Sequence, residues 1–171
     1  MPSYTHLAYR RNAKAAARKQ QIKKPKNQEA LLKAREDFGY FCEYVADKPP
    51  AEHHKTWHRH FVTNEDSSCL LKIAGPNVDL LAPRGSAKST VLGLLTAWAI
   101  GIHTQAKQPL QVLYLSYTVD IARSKSATIK RIIESKRYQE VFPKVRLLKN
   151  VTSNEYWSID HKFAGIDTTG E

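Results

Sequence analysis

Cysteine is nearly absent from this chain: Cys42 and Cys69 are the only two in 171 residues. They are spaced neither as a metal-ligand pair nor densely enough for a disulfide scaffold, so the fold must hold without either staple, and a reducing compartment fits best. Long apolar runs are also missing. The longest, Val91 to Ile102, is broken by Gly93, Thr96 and Gly101 and falls short of the roughly 18 uninterrupted residues of a membrane span. No apolar stretch follows the basic N-terminus, which excludes a secretory signal of the usual form. Acid is the third scarcity. Sixteen Asp and Glu face twenty-seven Lys and Arg, giving a net charge of +11. What remains is a length suited to one compact domain plus an appendage, with 42% hydrophobic residues, enough to fill its core.

The positive charge is concentrated. Residues 1–36 hold ten basic side chains, including Arg10, Arg11, Arg18 and Lys19, against Glu29 and Glu36, a net of +8. The other 135 residues carry only +3. A basic arm on a nearly neutral domain is a common way to engage phosphate backbones, while the plainer reading is a solvated tail. From Arg11 to Lys26 no apolar face recurs, and Pro25 interrupts any helix there. The arm therefore occupies residues 1–35, and a domain follows over 36–171.

Within that domain the hydrophobic spacing changes character. Asn27 reads as an N-cap for a helix running to about Ala46, with Leu31, Phe38, Phe41, Tyr44 and Val45 at three- and four-residue spacings. Lys48-Pro49-Pro50 ends it. A second helix starts near Ala51 and includes His54, Trp57, His58 and Phe61. Leu70–Ala74 and Val78–Ala82 then read as short buried strands around a Gly75-Pro76-Asn77 turn. An apolar helix from about Lys88 to His103, a strand over Gln111–Ser116, a helix over Val119–Ser135 and a strand over Tyr156–Ile159 complete the pattern. Ile121, Ile129, Ile132 and Ile133 are expected to face inward. The rhythm predicts an α/β fold, a parallel sheet flanked by helices.

The segment richest in chemistry runs from Leu80 to Thr90. A phosphate-binding loop reads G-x-x-x-x-G-K-[ST] between a strand and a helix. Here Ala82 and Ala87 stand at the glycine positions, and Lys88 and Ser89 match. Small residues let successive backbone N–H groups curl around a phosphate at the positive end of a new helix. Lys88 would bridge the β- and γ-phosphates of ATP, the Ser89 hydroxyl would ligate Mg²⁺, and Thr90 would sit behind it. Alanine at both glycine positions predicts right-handed backbone there, leaving Gly85 and Ser86 to supply any unusual turn geometry.

Pro83-Arg84-Gly85-Ser86-Ala87-Lys88-Ser89-Thr90 resembles the deviant Walker A loop of large terminase subunits, the motors that package DNA into tailed-phage heads. Phe38 to Val45 and Pro49 to Trp57 are similar to the segment that family places before the loop. The strand and helix from Gln111 to Ser135 are similar to its next βα unit, and Glu155 to Ile159 to a later strand. The resemblance covers about residues 36–171, with the loop its most specific part.

The resemblance implies an ASCE-type P-loop NTPase domain, incomplete at its C-terminal side and preceded by the basic helical arm. It implies an ATPase with ATP and Mg²⁺ as cofactors, driving double-stranded DNA into a procapsid as a homo-oligomeric ring in the host cytoplasm. The portal protein, a small terminase subunit and the remaining C-terminal terminase portion would be its partners. Arg84 takes the place of the loop arginine near the γ-phosphate, where it would sense nucleotide or stabilise transition-state charge; the plainer reading is a surface arginine that caps a loop carbonyl. His54 and Trp57 fall where adenine contacts are expected, although Trp57 is as well suited to a core. His53, His58 and His60 cluster with His54 but lack carboxylate or cysteine support for zinc.

The acids such a motor needs are hard to find. The late acidic residues are Glu155, Asp160, Asp167 and Glu171. Tyr156-Trp157-Ser158-Ile159-Asp160 is a poor Walker B strand, interrupted by Ser158 and with no acid after Asp160. The expectation is therefore a chain that carries the N-terminal part of the motor, without its Walker B strand or nuclease domain, and hydrolyses ATP weakly or not at all. A helicase-like P-loop ATPase, or a non-catalytic DNA-binding protein with a degenerate loop, are the competing readings.

Overall fold

The computed structural model describes residues 28–61 and 79–166. The basic arm up to residue 27, the expected strand Leu70–Ala74 and the first residue of the strand expected at Val78–Ala82 lie outside them, as do Cys69, Asp167 and Glu171.

The described chain is built from helices. In order these are α1 (Gln28–Glu36), α2 (Phe38–Ala46), α3 (Glu52–Phe61), α4 (Lys88–Gln105), α5 (Val119–Glu134) and α6 (Lys136–Val141), then strands β1 (Leu147–Thr152) and β2 (Trp157–Ile159), and last α7 (His161–Ala164). None of them is long and apolar enough to cross a membrane.

Local chemistry explains the boundaries, including one that periodicity overlooked. The single helix expected up to Ala46 is two helices, because Asp37 takes an extended backbone (φ −117°, ψ 112°) and its carboxylate accepts from the Tyr40 amide at 2.8 Å. An N-cap inside an unbroken apolar pattern ends one helix and starts another. At the far end Asp47 adopts a left-handed conformation and its amide donates to the Glu43 carbonyl at 3.0 Å, just before the two prolines. Thr118 caps α5 through the Ile121 amide, and Ser135 caps α6 through the Tyr138 amide.

Helix α4 is the centre of the molecule. Val91, Gly93, Leu94, Ala97, Trp98, Ile100, Gly101, Ile102 and Thr104 are buried, so burial runs around its circumference, as it does for a helix with neighbours on most sides. Leu31, Ala34, Phe38 and Phe41 pack on it from α1 and α2, Ile129 and Ile133 from α5, and Tyr138, Val141 and Phe142 from α6 and its end. Two buried polar tips are satisfied through carbonyls of neighbouring helices. Trp98 Nε1 donates to the Ala34 carbonyl at 3.1 Å, and the Tyr138 hydroxyl donates to the Ala97 carbonyl at 2.8 Å. Of the isoleucines expected inside, Ile129 and Ile133 are buried and Ile132 packs on the core's margin, but Ile121 is exposed in the first turn of α5.

The expected parallel sheet is contradicted. Among the described residues the only sheet is the antiparallel pair β1–β2, with Leu147 opposite Ile159 and Thr152 opposite Trp157 around a register irregularity. Residues 111–116 form no strand and make no backbone hydrogen bond to another described residue. Leu113 is 83% exposed there, and Leu81, before the loop, is 96% exposed. The strand expected at Tyr156–Ile159 exists as Trp157–Ile159, but it pairs with the hairpin partner before it instead of joining a parallel layer. A continuous apolar run states that a segment would gain from burial. It does not name the neighbour that must supply ladder hydrogen bonds, and without one there is no strand.

Candidate functional site

The loop ahead of α4 is bent, and its bend differs from the expected one. Gly85 has φ 87° and Ala87 has φ 58°, ψ 18°, so both lie in the left-handed region. Right-handed backbone was expected at Ala87, because a Cβ disfavours the alternative by about 1 kcal/mol or more. The structure overturns this: Ala87 takes the conformation that the glycine of a standard loop would adopt without strain. The gain lies in the hydrogen bonds that follow. The Ala87 carbonyl accepts from the Thr90 amide at 2.9 Å and the Val91 amide at 3.0 Å, which starts α4 directly after the turn. The Ser86 amide reaches the Pro83 carbonyl at 3.4 Å and closes the turn from the other side.

This geometry leaves the amides of Gly85, Ala87, Lys88 and Ser89 without a hydrogen-bond partner among the described residues. Unpaired N–H groups at the positive end of an 18-residue helix form the local arrangement that attracts an anion. Lys88 is half-buried, and its ammonium reaches back to the Ala82 carbonyl at 3.5 Å, a long contact that spans the turn. Ser89 and Thr90 are exposed in the first turn, so the Ser89 hydroxyl could serve a Mg²⁺ that arrives with a triphosphate. Pro83, Arg84 and Gly85 are exposed, and Arg84 makes no ion pair among the described residues. The Ser86 hydroxyl is buried and without a partner among them.

Helix α3 contributes one direct contact. His54 Nε2 lies 2.9 Å from the Ser86 carbonyl, while its Nδ1 lies 3.2 Å from the Ala51 amide. The amide can only donate, so Nδ1 accepts, Nε2 carries the proton, and Nε2 donates to Ser86. The imidazole is thus a fixed strut between the start of α3 and the loop, with both nitrogens engaged. Trp57 packs on the core's margin, its ring centroid 5.0 Å from that of His53 and 5.1 Å from that of His54. The two residues read as adenine contacts are therefore beside the loop, one engaged with it and one half-buried behind it.

The other histidines separate from this group. His58 stacks on Phe38 at 4.8 Å with its edge toward Trp98, and its buried Nε2 has no partner among the described residues. Burial pushes its pKa down, with Asp37 pulling weakly the other way. His53 and His60 are exposed. Among the described residues no three His, Cys, Asp or Glu side chains converge to hold a metal.

The late acids are engaged elsewhere. Glu155 pairs with Arg123, and the Asp160 carboxylate caps α7 by accepting from the Phe163 amide at 2.9 Å. Cys42 is buried, and its thiol is pushed up to about 12, first by burial and then by the nearby Asp37, which makes it a poor nucleophile. Two features of the loop escaped the sequence pattern: the left-handed Ala87 and the His54–Ser86 tie. For the second the sequence held no signal, since Ser86 lies 32 residues from His54. No family model, curated protein or solved structure matches the chain.

Proposed function

We propose that residues 82–90 hold the triphosphate of ATP together with Mg²⁺, and that the chain is the nucleotide-binding part of a DNA-packaging motor of the large-terminase kind. One observation carries the reading: the left-handed turn at Gly85 and Ala87 leads into α4 with unpaired amides, while the Lys88 ammonium spans the same turn. In this reading the amides and helix end take the β-phosphate, Lys88 leaves the Ala82 carbonyl for the β- and γ-phosphates, and Ser89 binds the metal. Arg84, exposed beside them, is free to meet the γ-phosphate. The net charge of +11, concentrated in residues 1–36, suits double-stranded DNA as the cargo. Hydrolysis is expected to be poor, because Glu155 and Asp160 are both committed to other contacts.

Titration of the purified chain with a fluorescent ATP analogue tests the proposal. Saturable binding that requires Mg²⁺ and is lost in Lys88→Ala is the expected result. Absence of Mg²⁺-dependent binding would overturn it. That outcome would favour a second reading, a DNA-binding protein with a degenerate loop, which one observation already supports: no parallel sheet underlies the loop among the described residues. Multiple-turnover hydrolysis abolished by Lys88→Ala would instead mean that the chain supplies a catalytic acid after all.

A further inference from the structure

We propose that a second anion site, for a phosphate group, lies in the cleft between α1, the C-terminal end of α4 and the turn after α6, away from the residues 82–90 loop. The cleft has a volume of about 270 Å³, and Arg35, Thr104, Gln105, Phe142 and Lys144 are among the residues lining it. Ligand pockets for whole drug-sized molecules run from about 300 to 1,000 Å³, so this one suits a single charged group.

Two groups in it lack the partner their chemistry requires, and a third adds positive charge at the rim. Thr104 is 1% exposed, and its hydroxyl has no hydrogen-bond partner among the described residues. A buried unpaired hydroxyl is costly and uncommon, and a ligand oxygen would satisfy it. Arg35 is half-buried, with Nε donating to the Val141 carbonyl at 2.8 Å. That bond fixes the guanidinium plane, and neither terminal NH₂ group hydrogen-bonds or pairs with a described residue. Lys144 stands at the exposed rim, again without an ion pair among the described residues. A partly desolvated cation with no counter-charge is an incomplete arrangement, and burial already pushes the Arg35 pKa down.

The donor set selects the anion. A guanidinium fork, an ammonium, a hydroxyl and the Gln105 amide offer more donors than the two oxygens of a carboxylate can use, whereas a phosphate presents a tetrahedron of acceptors. The negative end of α4 opposes this less than a bare helix end would, because three of its last four carbonyls are already engaged. Ile102 accepts from Ala106 at 3.0 Å, His103 from Gln108 at 2.9 Å and Thr104 from Lys107 at 3.2 Å. The group could arrive as free phosphate or as a backbone phosphate of DNA.

The Lys88→Ala chain, in which the loop's ammonium is removed, separates this site from the nucleotide loop. Amide NMR shifts are followed during titration with inorganic phosphate, and in a second arm with a short DNA duplex. Saturating shifts at Gln105 and Lys144 are expected with at least one probe, and the arm in which they saturate identifies the source. Thr104→Val and Lys144→Gln should each weaken that binding roughly 3- to 10-fold, with unchanged circular dichroism and a denaturation midpoint that stays put in Lys144→Gln and rises, if it moves, in Thr104→Val. The inference is overturned if neither probe produces saturating shifts there. It is equally overturned if both substitutions leave the affinity within about twofold. Arg35 is spared in the test because its bond to Val141 also supports packing.

Discussion

Gly101 sits where α4 passes Phe142, and replacing it with alanine sets two effects of known sign against each other. A Cβ built on Gly101 would lie 2.4, 2.5 and 2.6 Å from three atoms of the Phe142 ring. Carbon atoms pack at about 3.5–4.0 Å, so the ring or the helix must shift by about 1 Å. Phe142 is 1% exposed, and it is flanked by Tyr138 at 5.2 Å and Phe41 at 6.1 Å between ring centroids, which blocks an easy retreat. Overpacking of this kind costs about 1–3 kcal/mol, and contact with three atoms of a confined ring belongs near the top of that range. Alanine in a helix interior recovers about 1 kcal/mol over glycine. The expected net loss is therefore about 1–2 kcal/mol. Urea denaturation should show a lower midpoint with an unchanged slope, since native and unfolded surface areas barely differ. In the Gly101→Ala/Phe142→Leu double variant the two penalties should not add, because the smaller side chain vacates the space the methyl needs. A Gly101→Ala chain as stable as the parent, within about 0.5 kcal/mol, or strictly additive penalties in the double variant, would refute the packing argument.

Other consequences concern the loop and its surroundings. Ala87→Val places a β-branched side chain in a left-handed conformation and should weaken nucleotide binding at least tenfold, whereas Ala87→Gly should preserve it; the same fluorescent titration compares them. His54→Ala removes the strut to the Ser86 carbonyl, about 1 kcal/mol of loop positioning, and should lower nucleotide affinity roughly 5-fold with little change in the denaturation midpoint. His58 is held below its ordinary pKa by burial, so the unfolded chain binds the proton more readily than the folded one. Stability should accordingly fall as pH drops below about 6.5, and His58→Phe should flatten that dependence in denaturation midpoints measured from pH 5 to 8. In a Cys69→Ser background, Cys42 should resist thiol reagents at pH 8 until the chain is unfolded, because its thiol is pushed up to about 12.

The parts of this molecule that were readable in the sequence are those in which neighbours along the chain determine the outcome. Helices α3, α4 and α5 were read within a few residues, because spacing, caps and prolines are local. The Asp37 break needed one more local fact, that a carboxylate three residues before an amide can cap it inside an apolar stretch. The short helix α6 and the strand β1 were missed, since six residues carry too little periodicity to register. The sheet was misread because Gln111–Ser116 has strand composition, while pairing is decided by a distant segment. The start of α4 at Lys88 was legible, but the handedness of the turn before it was not: a residue's identity biases φ, and hydrogen bonds from Thr90 and Val91 to Ala87 override that bias. The Arg35–Thr104–Lys144 cleft left no trace in the sequence, because its members come from three separate segments.

The way the loop is held bears directly on how tightly it can bind. In a standard phosphate loop a strand fixes one side and a helix the other. Here the helix side is firmly anchored, since α4 is buried around most of its length and is tied to its neighbours through Trp98 and Tyr138. On the other side, residues 79–83 join no strand, and Leu81 is exposed. Between these, the contacts from described residues are the Ser86–Pro83 turn, the His54 strut and the reach of Lys88 to Ala82. Under the proposed function, a ligand that gathers Lys88 and four amides must break the last of these contacts and fix residues 79–83, which no strand anchors, and that cost is subtracted from the gross attraction. The nucleotide of the proposed function is therefore expected to bind weakly. It also follows that any partner segment that pairs with residues 79–83 would raise affinity without touching the nucleotide, because the ordering cost would already have been met.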